Sequence, residues 1–181
     1  MMTVSHQTPA SLTDAMARQT AVIARMIEFD RGDARRIQHF LKVYTFASHL
    51  GRRIGLPARE QEILEVAAIL HDIGIHPALD KYGKQNGKLQ EQEGPVPARR
   101  LLQEVGGYDE AFVDRVCFLI GHHHTYTGVD GQDWQLLLEA DFLVNSYEDN
   151  LPVEAIRSFR DQIFRSAEAI ALLNTQFALD D

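Results

Sequence analysis

The chain is nearly free of cysteine. Cys117 is the only one in 181 residues, which excludes an intrachain disulfide and a thiolate metal cluster. On an apolar helical stretch it reads as a small core residue. No apolar run approaches the roughly 20 residues of a membrane span. Residues 1–10 are polar and lack the apolar segment of a signal peptide, so a cytoplasmic location is the expectation. Positive charge is also scarce. A net charge of -8 excludes a general nucleic-acid binder, which needs a basic footprint. It leaves a small anionic ligand open, because a bound metal reverses the local field. Alternating strand patterns, internal repeats and low-complexity segments are missing as well.

What is present is helical. Apolar residues make up 45% and charged residues 24%, an ordinary globular mix, and the length suits one domain that buries its own core. Residues 1–12 are expected to be disordered. Met16, Ile23, Met26 and Ile27 give residues 13–29 an amphipathic helical spacing. Asp33 is placed to cap a second helix over 34–54, with Ile37, Phe40, Leu41, Tyr44, Ala47 and Leu50 on one face. Further helices are expected over 58–72, 95–105, 109–123, 133–147 and 153–177. Residues 74–94, with five glycines or prolines among lysines, read as a long loop of functional character. The expectation is an all-α domain of six or seven helices. The last helix either caps the core or forms a homodimer contact.

Metal-capable side chains recur in or beside these apolar faces. His71-Asp72 closes the third helix, in Glu65-Val66-Ala67-Ala68-Ile69-Leu70-His71-Asp72-Ile73-Gly74. A buried ionised carboxylate is costly without a partner, and a divalent ion would satisfy the aspartate and the histidine together. His39 lies mid-helix, the triplet His122-His123-His124 ends the fifth expected helix, and Asp141 lies within Leu136–Val144. Any one of these could be a hydrogen-bonded core residue. Four from four helices make a converging set, as helical domains build metal sites. Val116, Ile120 and His123 follow a four-then-three spacing, so His123 continues the apolar face inward; His124 is also in reach, while His122 points elsewhere.

The ordered set His39, His71-Asp72, Asp141 resembles the HD-domain superfamily of metal-dependent phosphohydrolases. The resemblance runs from about residue 35 to 147. It is carried by Arg36-Ile37-Gln38-His39, Ala68–Gly74, Glu93-Gly94 before a short helix, Ile120–His124 and Glu139-Ala140-Asp141. It implies a metal held by His39, His71, Asp72 and Asp141. In similar proteins with two metals, further ligands come from a histidine pair, which His123 and His124 match, and from a histidine before the fourth helix. There this chain has Glu91-Gln92-Glu93, so one ion and two both stay open.

Imidazoles and carboxylates without thiolates suit Mn, Fe, Co, Ni or Zn, with Mg less favoured. The expected chemistry is hydrolysis of a small phosphate ester or anhydride, a nucleotide foremost, by metal-activated water. Asp72 would orient or deprotonate the water, and Glu93 is a candidate base. Arg36, Lys81, Lys84, Lys88 and Tyr126 are the candidate substrate contacts. An HD-type di-iron oxygenase, a non-catalytic nucleotide-binding signalling domain and a purely structural polar core remain as alternatives.

Overall fold

The computed structural model describes residues 9–179, with side chains from Thr13 onward. Among them are ten helices and no strand: α1 Pro9–Phe29, α2 Ala34–Ile54, α3 Ala58–Leu70, α4 Ile75–Tyr82, α5 Gly87–Glu93, α6 Pro95–Val105, α7 Glu110–Ile120, α8 Gln132–Glu148, α9 Val153–Ile163 and α10 Ala167–Phe177. Residues 1–8 of the expected disordered N-terminus lie outside the described residues. No described helix is long and apolar enough to cross a membrane.

The all-α expectation holds, but six or seven helices was too few. Two of the three additional helices occupy the expected loop. Ile75 and Ala78 give α4 a short buried face, and Gly83, in the left-handed conformation at φ 64°, closes it. The Asn86 side chain then accepts from the Leu89 N–H and starts α5. Pro77 is tolerated because it falls in the first turn of α4. The third comes from a break in the expected C-terminal helix. Phe164 is extended, and the N–H groups of Arg165 and Ser166 donate to Glu139 Oε1 at 2.6 and 3.0 Å. Ser166 in turn caps α10 through the Ala169 N–H. A buried carboxylate on α8 thus replaces the hydrogen bonds that a continuous helix would have made.

The core is organised around α3 and α8. From Ile63 to Leu70 every residue of α3 is buried, and α8 is buried almost throughout from Asp133 to Val144. A helix apolar on all sides belongs at the centre of a layered helical domain. Helix α2 packs against both, inserting His39, Phe40, Val43, Ala47 and Leu50 at spacings of three and four. Metal-capable residues at the ends of α3 and α7, in α2 and in α8 are therefore carried to one place by the packing.

The α3–α4 turn lies unusually close to α5. A Cβ at Gly74 would stand 2.4 Å from the Gln90 carbonyl oxygen and 2.7 Å from the Gly94 nitrogen, both backbone atoms. We predict that Gly74→Ala lowers stability by about 2 kcal/mol, a fall in Tm of roughly 6 °C for a chain of this length, read by thermal unfolding followed by circular dichroism.

A second strain is electrostatic. Asp30, at the α1–α2 turn, is 2% exposed and neither carboxylate oxygen has a hydrogen bond, His76 Nε2 being 3.3 Å away. Burial pushes its pKa up to about 6, against the pull of His76 and Arg36. The folded state therefore holds the proton more tightly than the unfolded chain. Stability falls as pH rises from about 4 to about 6, and the penalty is complete above that. Asp30→Asn should raise stability at pH 7.5 by about 1–2 kcal/mol, after allowance for screening. The gain should vanish near pH 4 in denaturant titrations of the two proteins.

Candidate metal centre

Three histidines have their tautomers set by acceptors that cannot donate. His71 Nδ1–H donates to the Ala68 carbonyl at 2.9 Å and His123 Nδ1–H to the Ile120 carbonyl at 2.7 Å. Both carbonyls belong to the last turns of helices, where backbone acceptors lack helical partners. His39 Nδ1–H donates to Glu148 Oε2 at 3.0 Å. In its neutral form each ring therefore presents an Nε2 lone pair inward.

These lone pairs face one another and two carboxylates. His39 Nε2 and His71 Nε2 are 3.1 Å apart, and each is 3.3 Å from Asp141 Oδ1. Asp72 Oδ2 is 3.6 Å from His39 Nε2 and 3.9 Å from His71 Nε2. Asp141 Oδ1 is buried without a hydrogen-bond partner. Donor atoms bonded at about 2.0–2.2 Å to one ion stand about 3–3.5 Å from their neighbours. The separations among His39, His71 and Asp141 match, Asp72 stands somewhat farther out, and the orphaned Asp141 oxygen is the atom an ion would satisfy. The residues present fit a divalent metal.

Asp72 also faces a second group. Its Oδ1 lies 3.2 Å from His123 Nε2, and Asp72, His123 and His124 form a further set with donor atoms close enough for one ion. Burial alone would raise the Asp72 pKa, but His71 and His123 hold it below the usual carboxylate range. Burial likewise opposes ionisation of Asp141, and His39 and His71, when protonated, outweigh it and keep it well below its ordinary value. Burial, and then the neighbouring His123, lower His124 to about 4, so its imidazole is neutral near pH 7.

The pocket over this centre has a volume of about 430 Å³ and is lined by Arg36, His39, Asp72, His124, Tyr126 and Asp141 among others. Arg36 Nη1 donates to Asp72 Oδ2 at 2.7 Å. Of the expected substrate contacts, Arg36 and Tyr126 are among the lining residues, whereas Lys81, Lys84 and Lys88 are not. Glu93 is turned away as well. It accepts from Lys81 at 3.0 Å and from the Tyr82 hydroxyl at 2.8 Å, so two donors from α4 hold it outside the pocket. Glu91 has a positioning role instead, with Oε1 accepting from the His124 N–H at 2.9 Å and the Thr125 hydroxyl at 2.8 Å. His122 points elsewhere, as its spacing suggested: it donates to the Phe118 carbonyl and stacks on the Phe118 ring.

Sequence reasoning missed Glu148 and Gln90. Glu148 follows Asp141 by seven residues, two helical turns, and that spacing was the available signal. It also takes the Lys42 ammonium at 2.6 Å. Gln90 Oε1 accepts from His124 Nε2, and its amide group donates to Gln85. Nothing in the sequence marked it. A larger cavity of about 580 Å³ lies between α1 and the α2–α3 corner. Its central carboxylate, Glu65, is already taken by Gln19, Ser48, Arg52 and Gln61.

A model of the HD domain matches residues 36–157. Among solved structures, a predicted HD superfamily hydrolase from an uncultured Thermotogales bacterium is similar at a TM-score of 0.65 and 25% identity, covering 92% of this chain and 91% of that one. No curated protein sequence matches the chain.

The Glu148 contact orients His39 and makes its inward nitrogen more basic. Glu148→Gln should weaken manganese binding by about 10–100-fold, measured by isothermal titration calorimetry.

Proposed function

Because the chain belongs to the HD domain family, we propose that it is a metal-dependent phosphohydrolase that cleaves a small phosphate ester or anhydride, a nucleotide foremost. The observation that carries this reading is the buried convergence of His39 Nε2, His71 Nε2, Asp72 and Asp141, with an Asp141 oxygen that has no hydrogen-bond partner and an arginine at the pocket edge. A divalent ion bound there supplies Lewis acidity toward a phosphoryl oxygen and lowers the pKa of water. Asp72 stands between the two ligand groups, where it would orient the attacking water or take its proton. Arg36, now on Asp72, is placed to turn its guanidinium to a phosphoryl oxygen, for which its planar fork is suited. His123 and His124 hold the second group or contact the phosphate. Glu93, held by α4, has no part in the proton transfer.

The test is turnover with defined metals. The purified protein, supplied with Mn, Co, Ni or Mg, should hydrolyse nucleotides or simple phosphoesters, and chelation should abolish the activity reversibly. His71→Ala and Asp72→Ala should each lower turnover by roughly a thousandfold or more while the helical circular dichroism is retained. Unchanged turnover in either variant would refute the mechanism.

A further inference from the structure

The pocket walls narrow the substrate. The lining holds two arginines, Arg35 and Arg36, against four carboxylates, Asp72, Asp141, Glu148 and Asp149. Arg36 is on Asp72 and Arg35 is 3.6 Å from Asp149. A polyphosphate would need cations along its length, and Lys81, Lys84 and Lys88 are not among the lining residues. One phosphoryl group at the metal centre needs no more than the ions and Arg36. A volume of about 430 Å³ is also near the lower end of small-molecule sites, which begin at about 300 Å³.

The remaining wall is aromatic. Phe142 of α8 and Phe159 of α9 stack with centroids 3.6 Å apart and planes 3° from parallel. Tyr126 stands perpendicular to Phe159 at 5.2 Å, is 40% exposed and lines the pocket. Asn145, three residues after Phe142, adds an amide to the pocket lining. Phe159, itself stacked on Phe142, braces Tyr126, so its ring is held at little further entropic cost on binding. An open, buttressed aromatic face in a pocket suits a planar ring.

We infer that the pocket takes a phosphate monoester with a single phosphoryl group and a ring-bearing alcohol as leaving group, the ring seated on Tyr126 against Phe159 and Phe142. This rests on the hydrolase reading above. Hydrolysis then forms one P–O bond to water and breaks the P–O bond to the alcohol. The water's proton ends on the alcohol oxygen, and inorganic phosphate and the ring-bearing alcohol leave, with no other reactant.

The experiment uses the manganese-loaded protein and two phosphonates that cannot be hydrolysed. Calorimetry should show phenylphosphonate binding about tenfold or more tighter than methylphosphonate, as one stacking contact gives. Tyr126→Ala should collapse that ratio toward one, and Tyr126→Phe should keep it. In parallel, kcat/KM should be at least about tenfold higher for a nucleoside monophosphate than for its triphosphate. Equal affinities for the two phosphonates, a ratio unmoved by Tyr126→Ala, or equal use of the triphosphate would overturn the inference. A phenyl preference with no turnover of either nucleotide would refute the hydrolase reading alone and support the ring subsite.

Discussion

Four buried metal-capable groups, two imidazoles and two carboxylates, that face one another are the constraint on which the site depends. His39 Nε2, His71 Nε2, Asp72 and Asp141 meet at separations of 3.1–3.9 Å. In water such groups would repel and hydrate; in the interior that escape is closed. The rest of the domain holds them in place. Helices α3 and α8, apolar on nearly every side, supply the burial. Arg36 and Glu148 act at the edges, one on a carboxylate and one behind a histidine.

Helix ends do much of the orienting. An α-helix leaves its last carbonyls without partners, and here the histidine just past α3 and one just past α7 donate to such carbonyls, at Ala68 and Ile120. One bond satisfies the backbone and sets the tautomer, leaving Nε2 for the centre. This explains why chemistry is concentrated at the termini of α3 and α7, and why the glycines follow so closely. The chain must turn immediately, and at Gly74 it passes so near the α5 backbone that no side chain fits.

The helical fold was legible from periodicity, and polar side chains in or beside apolar faces suggested a converging set, while the grouping of His39, His71, Asp72 and Asp141 around one metal came from the resemblance. His39, His123 and Asp141 sit on apolar faces that spacing alone reveals, and His71-Asp72 terminates an apolar run. The two short helices in 74–94 were not legible: α4 has only Ile75 and Ala78 buried, too few to form a pattern, and α5 begins from an Asn cap amid glycines and lysines. The break at Phe164 was hidden for another reason. It depends on Glu139, a side chain 25 residues earlier that accepts the freed N–H groups, and no local pattern reports such a contact. The lysines of 81–88 looked like substrate contacts because a loop can fold over a site. As parts of helices α4 and α5, and of the link between them, they are directed by backbone geometry, and Lys81 goes to Glu93.

The same geometry makes the two ligand groups unequal. The first draws on α2, on the end of α3 and on α8, and includes an oxygen with nothing else to bind. The second draws on Asp72, already shared, and on His123 and His124, of which His124 has one nitrogen engaged by Gln90. Its ring is also pressed by α5, since a Cβ on Gly87 would lie 2.7 Å from the His124 ring. Where the resemblance to dinuclear relatives leads one to expect a further histidine, Glu93 is held away by Lys81 and Tyr82, and the neutral Gln90 stands beside His124 instead. A neutral amide attracts a cation less than a carboxylate does and is a weaker ligand than an imidazole. Of the two donor sets the first, richer in charge and poorer in other partners, is therefore the better suited to hold an ion.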